Sequence, residues 1–147
     1  MRSGGDSPAG LVGPTLYEES VLPSERRLLE TLRPAAGVPV SLHICGNSTP
    51  ILPLMATAGA DVLELDYAVD LGTACGIIGP ETAIWGNLDP VSVLSRGTPA
   101  TVRLKAAEAM ATIRAAGHRR FVLSSGCTLT METPHENIDA LIAAGSL

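Results

Sequence analysis

A recurrence along the chain limits its fold more than any single residue does. From Val38 onward a short apolar run leads into a polar or glycine turn and then a stretch of helical period, and this unit occurs four times. The runs Val38 to Ile44, Val62 to Leu65, Ala83 to Trp85 and Phe121 to Leu123 are short, apolar and bounded by Gly, Asp or Pro, as buried strands are. Between them, Pro50 to Ala58 follows Ser48 and Thr49 and stops at Gly59, and Pro99 to Ala116 follows Thr98 and stops at Gly117. These are the start and stop signals of helices. Shorter helices are expected over Val69 to Cys75 and over Glu136 to Ala144. Strict alternation of strand and helix implies parallel strands joined by right-handed crossovers, so the fold class is α/β, either a doubly wound sheet or part of a (β/α)8 barrel.

The four units occupy residues 37–147. Residues 14–36 form a helical lead-in, with Leu16, Val21, Leu28, Leu29 and Leu32 at roughly helical spacing. Pro23 should break or kink this run, with Ser24 capping the helix after the break. Residues 1–13, rich in glycine and proline, read as a flexible start. Four units in 147 residues amount to about half of a barrel that typically needs about 250 residues. The parallel edges of such a half require cover, so an incomplete chain or a self-associating half is favoured over a finished monomer.

Composition narrows the function classes. A hydrophobic content of 46% suits a packed core, and a net charge of −5 without a Lys/Arg run gives no footprint for nucleic acid. Aromatic residues are only 3%, too few for a base-stacking surface. No stretch reaches the length of a membrane span or a signal-peptide core. The three cysteines, Cys45, Cys75 and Cys127, are odd in number and far apart, which suits a reducing, cytoplasmic setting better than a disulfide framework.

In parallel α/β folds, reactive groups collect beyond the C-terminal ends of the strands. Those positions hold His43-Ile44-Cys45-Gly46-Asn47, then Asp66 and Asp70, then Gly86-Asn87-Leu88-Asp89-Pro90, then Ser124-Ser125-Gly126-Cys127. His43 and Cys45, two apart on a strand, face one way, and Cys127 at another strand end can converge on them. One imidazole and two thiolates make three zinc ligands and leave a fourth position open, as in catalytic zinc sites. The plainer alternative is that these cysteines are small buried hydrophobes and the spacing is chance. Asp66 and Asp70 are either partners of the site or turn-formers and caps. Asn87 faces the site better than Asp89, which sits before Pro90 as a cap; Asn47 and Thr49 read as caps for the helix at Pro50. Cys75, Trp85 and the methionines read as packing, and His118 and His135 as surface turn residues.

The segments HICGNSTPILPLMATAGADVLELDYAVDL, GNLDPV and GCTLTMETPHENIDALIAA, reaching back to DSPAGLVGPTLYEESVLP, resemble the C-terminal portion of the uroporphyrinogen decarboxylase and cobalamin-dependent methyltransferase superfamily. The resemblance implies the C-terminal half of a (β/α)8 barrel. Decarboxylases of this superfamily are metal-free and carry a histidine where this chain has Cys127. The methyltransferase branch carries His-x-Cys and a later Gly-Cys, and His43, Cys45 and Cys127 fall on those positions. The resemblance further implies a zinc site that activates a small-molecule thiol, a corrinoid methyl donor on a partner protein, and substrate contacts from Asn87, Asp66 and Asp6. A missing N-terminal barrel half, or a second copy of the chain, would complete the barrel. Ser24 and Thr128 depart from the family pattern and put substrate identity in question. Porphyrinogen decarboxylation and a non-catalytic remnant of the barrel are the alternatives.

Overall fold

The computed structural model describes residues 3–5 and 12–145. A short strand β1 (Ser3–Gly5) precedes a long helical lead-in: α1 (Pro14–Leu16), a π-helical turn (Tyr17–Val21) and α2 (Leu22–Ala36). There follow β2 (Ser41–Ile44), a 3-10 turn (Thr49–Ile51), α3 (Leu52–Met55), β3 (Val62–Leu65), α4 (Leu71–Ile77) and β4 (Ala83–Leu88). A second π-helical turn (Pro90–Ser95), α5 (Pro99–Ala115), β5 (Phe121–Ser125) and α6 (His135–Gly145) complete the described chain. The strands lie in one parallel sheet in sequence order, β1-β2-β3-β4-β5. Unreversed order with every crossover on one side makes the wall of a β/α barrel, not a doubly wound sheet, whose order reverses at a switch point.

Register sorts the side chains. Leu42, Leu63 and Ile84 are aligned neighbours on the helix-facing side, and they are buried with Leu29, Met55, Ala74 and Ile113 in the main core. A second cluster of Leu88, Val93, Leu94, Val102, Ala106 and Ala140 joins the last helices to the end of β4. His43, Glu64, Trp85 and Val122 are also register neighbours and lie on the opposite, concave side. Asn137 ties the last helix down: its buried amide nitrogen Nδ2 donates to the carbonyls of Leu94 and Gly97 at 3.0 and 2.9 Å.

Several elements depart from the sequence reading. The start contains a fifth strand, Ser3–Gly5, registered so that Gly4 pairs with His43. Glycine contributes no side chain to the apolar pattern, so a Ser-Gly-Gly strand gives no such signal. Pro23 does not break the lead-in. It falls in the first turn of α2, directly after a π-helical turn in which the Leu22 amide bonds to the Tyr17 carbonyl, and that wide turn accommodates a residue without a donor. Ser24 therefore caps nothing, and its hydroxyl instead accepts from Arg27 at 3.5 Å. His118, expected at the surface, is only 9% exposed where the chain turns from α5 toward β5. Met131 is fully exposed rather than core, and Trp85 is half-buried.

The expected caps are present at the main crossovers. Asp70 accepts from the Thr73 amide at 2.7 Å, Asp89 from the Val91 and Ser92 amides at 2.8 and 2.9 Å, and Thr98 from the Thr101 amide at 3.2 Å. The Thr73 hydroxyl and amide hold the Asp70 carboxyl below its ordinary range. Asn47 accepts from the Thr49 amide at 3.2 Å.

Candidate metal centre

Strand β2 delivers His43 and, one residue beyond its end, Cys45; β5 is followed by Gly126 and Cys127. These three half-buried residues converge, with their ligand atoms all within 4.8 Å of one another. His43 Nε2 lies 3.1 Å from Cys45 Sγ, and Cys45 Sγ lies 3.7 Å from Cys127 Sγ. In a tetrahedral zinc site with Zn–S near 2.3 Å, two sulfurs are separated by about 3.8 Å and a sulfur and a nitrogen by about 3.5 Å. The thiol pair matches the first separation, and the imidazole sits slightly inside the second. The donor set also fits a borderline-soft ion, since sulfur and imidazole nitrogen are the usual ligands of zinc.

The orientation of the imidazole is fixed from behind. His43 Nδ1 is 3.0 Å from the Glu64 carbonyl oxygen, which can only accept, so Nδ1 carries the proton and the Nε2 lone pair faces the thiols. Glu64 is the register neighbour of His43 on β3, so ordinary sheet pairing puts its carbonyl within reach.

Backbone freedom matters at two glycines. Gly46, next to Cys45, has φ +82, a conformation that favours glycine. Gly126, next to Cys127, lies so close to the β3 end that a Cβ there would be 2.3 Å from the Tyr67 amide nitrogen. Its own amide donates to Leu88 at 2.7 Å and so extends the β4 to β5 pairing as far as the cysteine.

Asp66, at 4% exposure, sends both carboxylate oxygens to main-chain amides: Oδ2 accepts from Gly46 and Oδ1 from Ala68, each at 2.9 Å. Asn87 Nδ2 donates to the carbonyls of Asp66 and Val69 at 3.0 and 2.6 Å, which leaves Oδ1 as the atom it can offer a ligand. Asn87 and Tyr67 also line a cleft of about 590 Å³ that runs past Asp70 and Asp89 to α5. Asp6 lies outside the described residues. Cys75 packs against the main core, where burial and then the charge of Asp70 push its thiol up. His135 is exposed at the start of α6. Sequence reasoning missed Tyr67, whose backbone touches the Cys127 loop; the glycine preceding Cys127 was the available clue.

A parallel β/α barrel wall with an imidazole and two thiols gathered at its C-terminal rim defines a class: barrel proteins with a potential transition-metal site at the active end of the strands. The uroporphyrinogen decarboxylase (URO-D) family model matches residues 3–146, and the chain belongs to that family. It is 34% identical over 132 residues to the methylcobamide:CoM methyltransferase MtbA of Methanosarcina mazei, covering 90% of this chain and 37% of that protein. It is also 34% identical over 137 residues to the uroporphyrinogen decarboxylase of Carboxydothermus hydrogenoformans, covering 93% and 37%. Among solved structures, a methyltransferase from Methanosarcina mazei superposes with a TM-score of 0.82 at 26% identity, covering 97% of this chain and 41% of that one. The chain thus spans well under half the length of these relatives. No described helix is long and apolar enough to cross a membrane.

Proposed function

We propose that the chain is the zinc-binding, C-terminal part of a methyltransferase of this family, one that moves a methyl group from a corrinoid to a small-molecule thiol. The observation that carries this reading is the convergence of His43 Nε2, Cys45 Sγ and Cys127 Sγ. Methyltransferase and decarboxylase relatives are equally similar over this region, so overall identity does not choose between them. The donor set supports the methyltransferase, because a decarboxylase acting without a metal has no use for two thiols and an imidazole aimed at one point.

When bound, zinc supplies the positive charge that keeps a substrate thiol deprotonated and nucleophilic near neutral pH. Three protein donors leave a fourth position for that thiol. The chain itself contributes orientation: the Glu64 carbonyl holds the His43 ring, and the Cys45 and Cys127 loops fix the two sulfurs. Asn87, whose Nδ2 is engaged with the Asp66 and Val69 carbonyls, is assigned to the substrate through its remaining amide oxygen, a role supported by its position in the cleft. The methyl donor is a corrinoid carried by a separate protein, in keeping with the activity for which the MtbA relatives are named. The rest of the barrel comes from an N-terminal half or from a second copy of the chain, because the chain covers only 37% of those relatives. Three cysteines outside any disulfide fit a reducing cytoplasm.

The test is the metal content of the purified chain by mass spectrometry, beside a Cys127→Ala variant. About one zinc per chain, lost in the variant, supports the reading. A well-folded sample without zinc overturns it and leaves a decarboxylase or a non-catalytic barrel remnant.

A further inference from the structure

The cysteines come from strand ends far apart in sequence, and nothing in β2 or β5 alone sets the distance between them. The structure supplies a common reference in residues 66–69. The carboxylate of Asp66 holds the Gly46 amide, one residue from Cys45, and the Ala68 amide on its own loop. Between those contacts lies Tyr67, against whose backbone Gly126 is pressed, one residue from Cys127. Behind them, Asn87 on β4 clamps the carbonyls of Asp66 and Val69. Four strand ends thus meet on one short segment, and each thiol is one residue away from an atom that the segment holds.

We infer that Asp66 is a positioning residue of the metal centre, setting the separation and aim of Cys45 and Cys127, with Asn87 bracing it. A carboxylate suits this task because it accepts at both oxygens, whereas an amide accepts at only one. At 4% exposure and with a main-chain amide on each oxygen, the Asp66 carboxylate is committed to the backbone around it. The inference rests on the metal reading for its purpose, but the thiol geometry can be measured without metal.

The test uses Asp66→Ala and Asp66→Asn, with Asn137→Ala as a control that loosens the fold through a different tie. The metal-free chain is first equilibrated with glutathione disulfide. One glutathione disulfide is reduced to two glutathione thiols as Cys45 and Cys127 lose two hydrogens and form a disulfide. The equilibrium reads how well the two sulfurs are held together. Each variant is then loaded with cobalt(II), whose absorption reports tetrahedral ligation, and zinc affinity is measured by competition with a chromophoric chelator. Asp66→Ala is expected to lower zinc affinity by about 10- to 100-fold, to weaken the tetrahedral cobalt bands and to disfavour the disulfide. Asp66→Asn, keeping one accepting oxygen, falls in between, and it carries the test should the alanine variant fail to fold. Asn137→Ala leaves all three readouts unchanged. A folded Asp66 variant with wild-type disulfide equilibrium and wild-type affinity overturns the inference and makes Asp66 a turn-former only. If the wild type binds no metal, the zinc reading fails by itself, and the disulfide equilibrium still decides the role of Asp66.

Discussion

Replacing Gly126 with alanine adds one methyl group at the closest approach between the Cys127 loop and the β3 end. The new carbon would be 2.3 Å from the Tyr67 amide nitrogen and 2.9 Å from its Cα and Cβ. Comfortable contact for such atoms begins near 3.5 Å, so the two segments must part by roughly 1 Å. Two of these three atoms are backbone and the third is a Cβ that no side-chain rotation moves, so rotation cannot relieve the clash. Overpacking of this kind costs about 1–3 kcal/mol, which for a domain of this size lowers Tm by about 3–10 °C. Ligand distances in a metal site tolerate only about 0.2 Å, so moving Cys127 by several times that amount should weaken zinc binding by at least about tenfold. Thermal unfolding of the metal-free chain reads the first effect, and chelator competition reads the second. Gly76→Ala is the matched control: it lies inside α4 with no atom within 4 Å of the added carbon, and it should be neutral or slightly stabilising. A Gly126→Ala chain with unchanged Tm and unchanged zinc affinity would refute the argument that this contact seats the cysteine.

Other outcomes rest on the same geometry. Mild peroxide treatment of the metal-free chain should join Cys45 to Cys127, whose sulfurs are 3.7 Å apart, leave Cys75 open to alkylation, and fail once zinc is bound; equal alkylation of all three thiols after oxidation would count against the arrangement. Asn137→Ala leaves the Leu94 and Gly97 carbonyls without their donor and should cost about 1–3 kcal/mol in urea unfolding, whereas a change below about 0.5 kcal/mol would mean that water replaces the amide. The Arg33 guanidinium, helped by the Val40 amide and opposed by partial burial, holds the Asp61 carboxyl below its ordinary 3.8. Its contribution is therefore complete above 3.8 and is lost as pH falls through the lower folded value. The stability gap between wild type and Asp61→Asn should close over that acid range, and a gap that stays constant with pH would contradict the assignment.

The convergence of His43, Cys45 and Cys127 was legible from sequence because these residues sit where strand alternation and strand ends are easiest to read: His43 and Cys45 two apart, Cys127 after a glycine. The crossover helices were legible through their caps, with Thr98 and Asp89 doing what their positions suggested. Features that depend on contacts between distant segments were not legible. Gly126 meets Tyr67 only after β3, β4 and β5 have paired; the glycine hints at a close approach, but nothing local marks Tyr67 as the residue it meets. Strand β1 was missed because pairing with β2, not side-chain character, makes Ser-Gly-Gly extended. His118 looked like a surface turn residue, yet its backbone amide bonds back to Ile113 and the turn folds its ring inward. For Pro23, the misleading element was the assumption of a regular helix, since a widened turn removes the conflict that a proline otherwise creates.

The acceptor that fixes the His43 ring is a main-chain carbonyl, contributed by Glu64 through the pairing of β2 with β3. Mutation of a neighbouring side chain cannot delete that atom. The aim of the imidazole is inherited from the alignment of two strands, so a drifting lineage can change residues along β3 and still hand down a histidine that points the right way. Its vulnerability lies elsewhere: a one-residue slip of β3 against β2 would take the Glu64 carbonyl away from the ring and turn Leu63 and Leu65 out of the core together. A chain that has lost the aim of His43 by this route would also have lost its core, leaving little room for a folded but misaligned form.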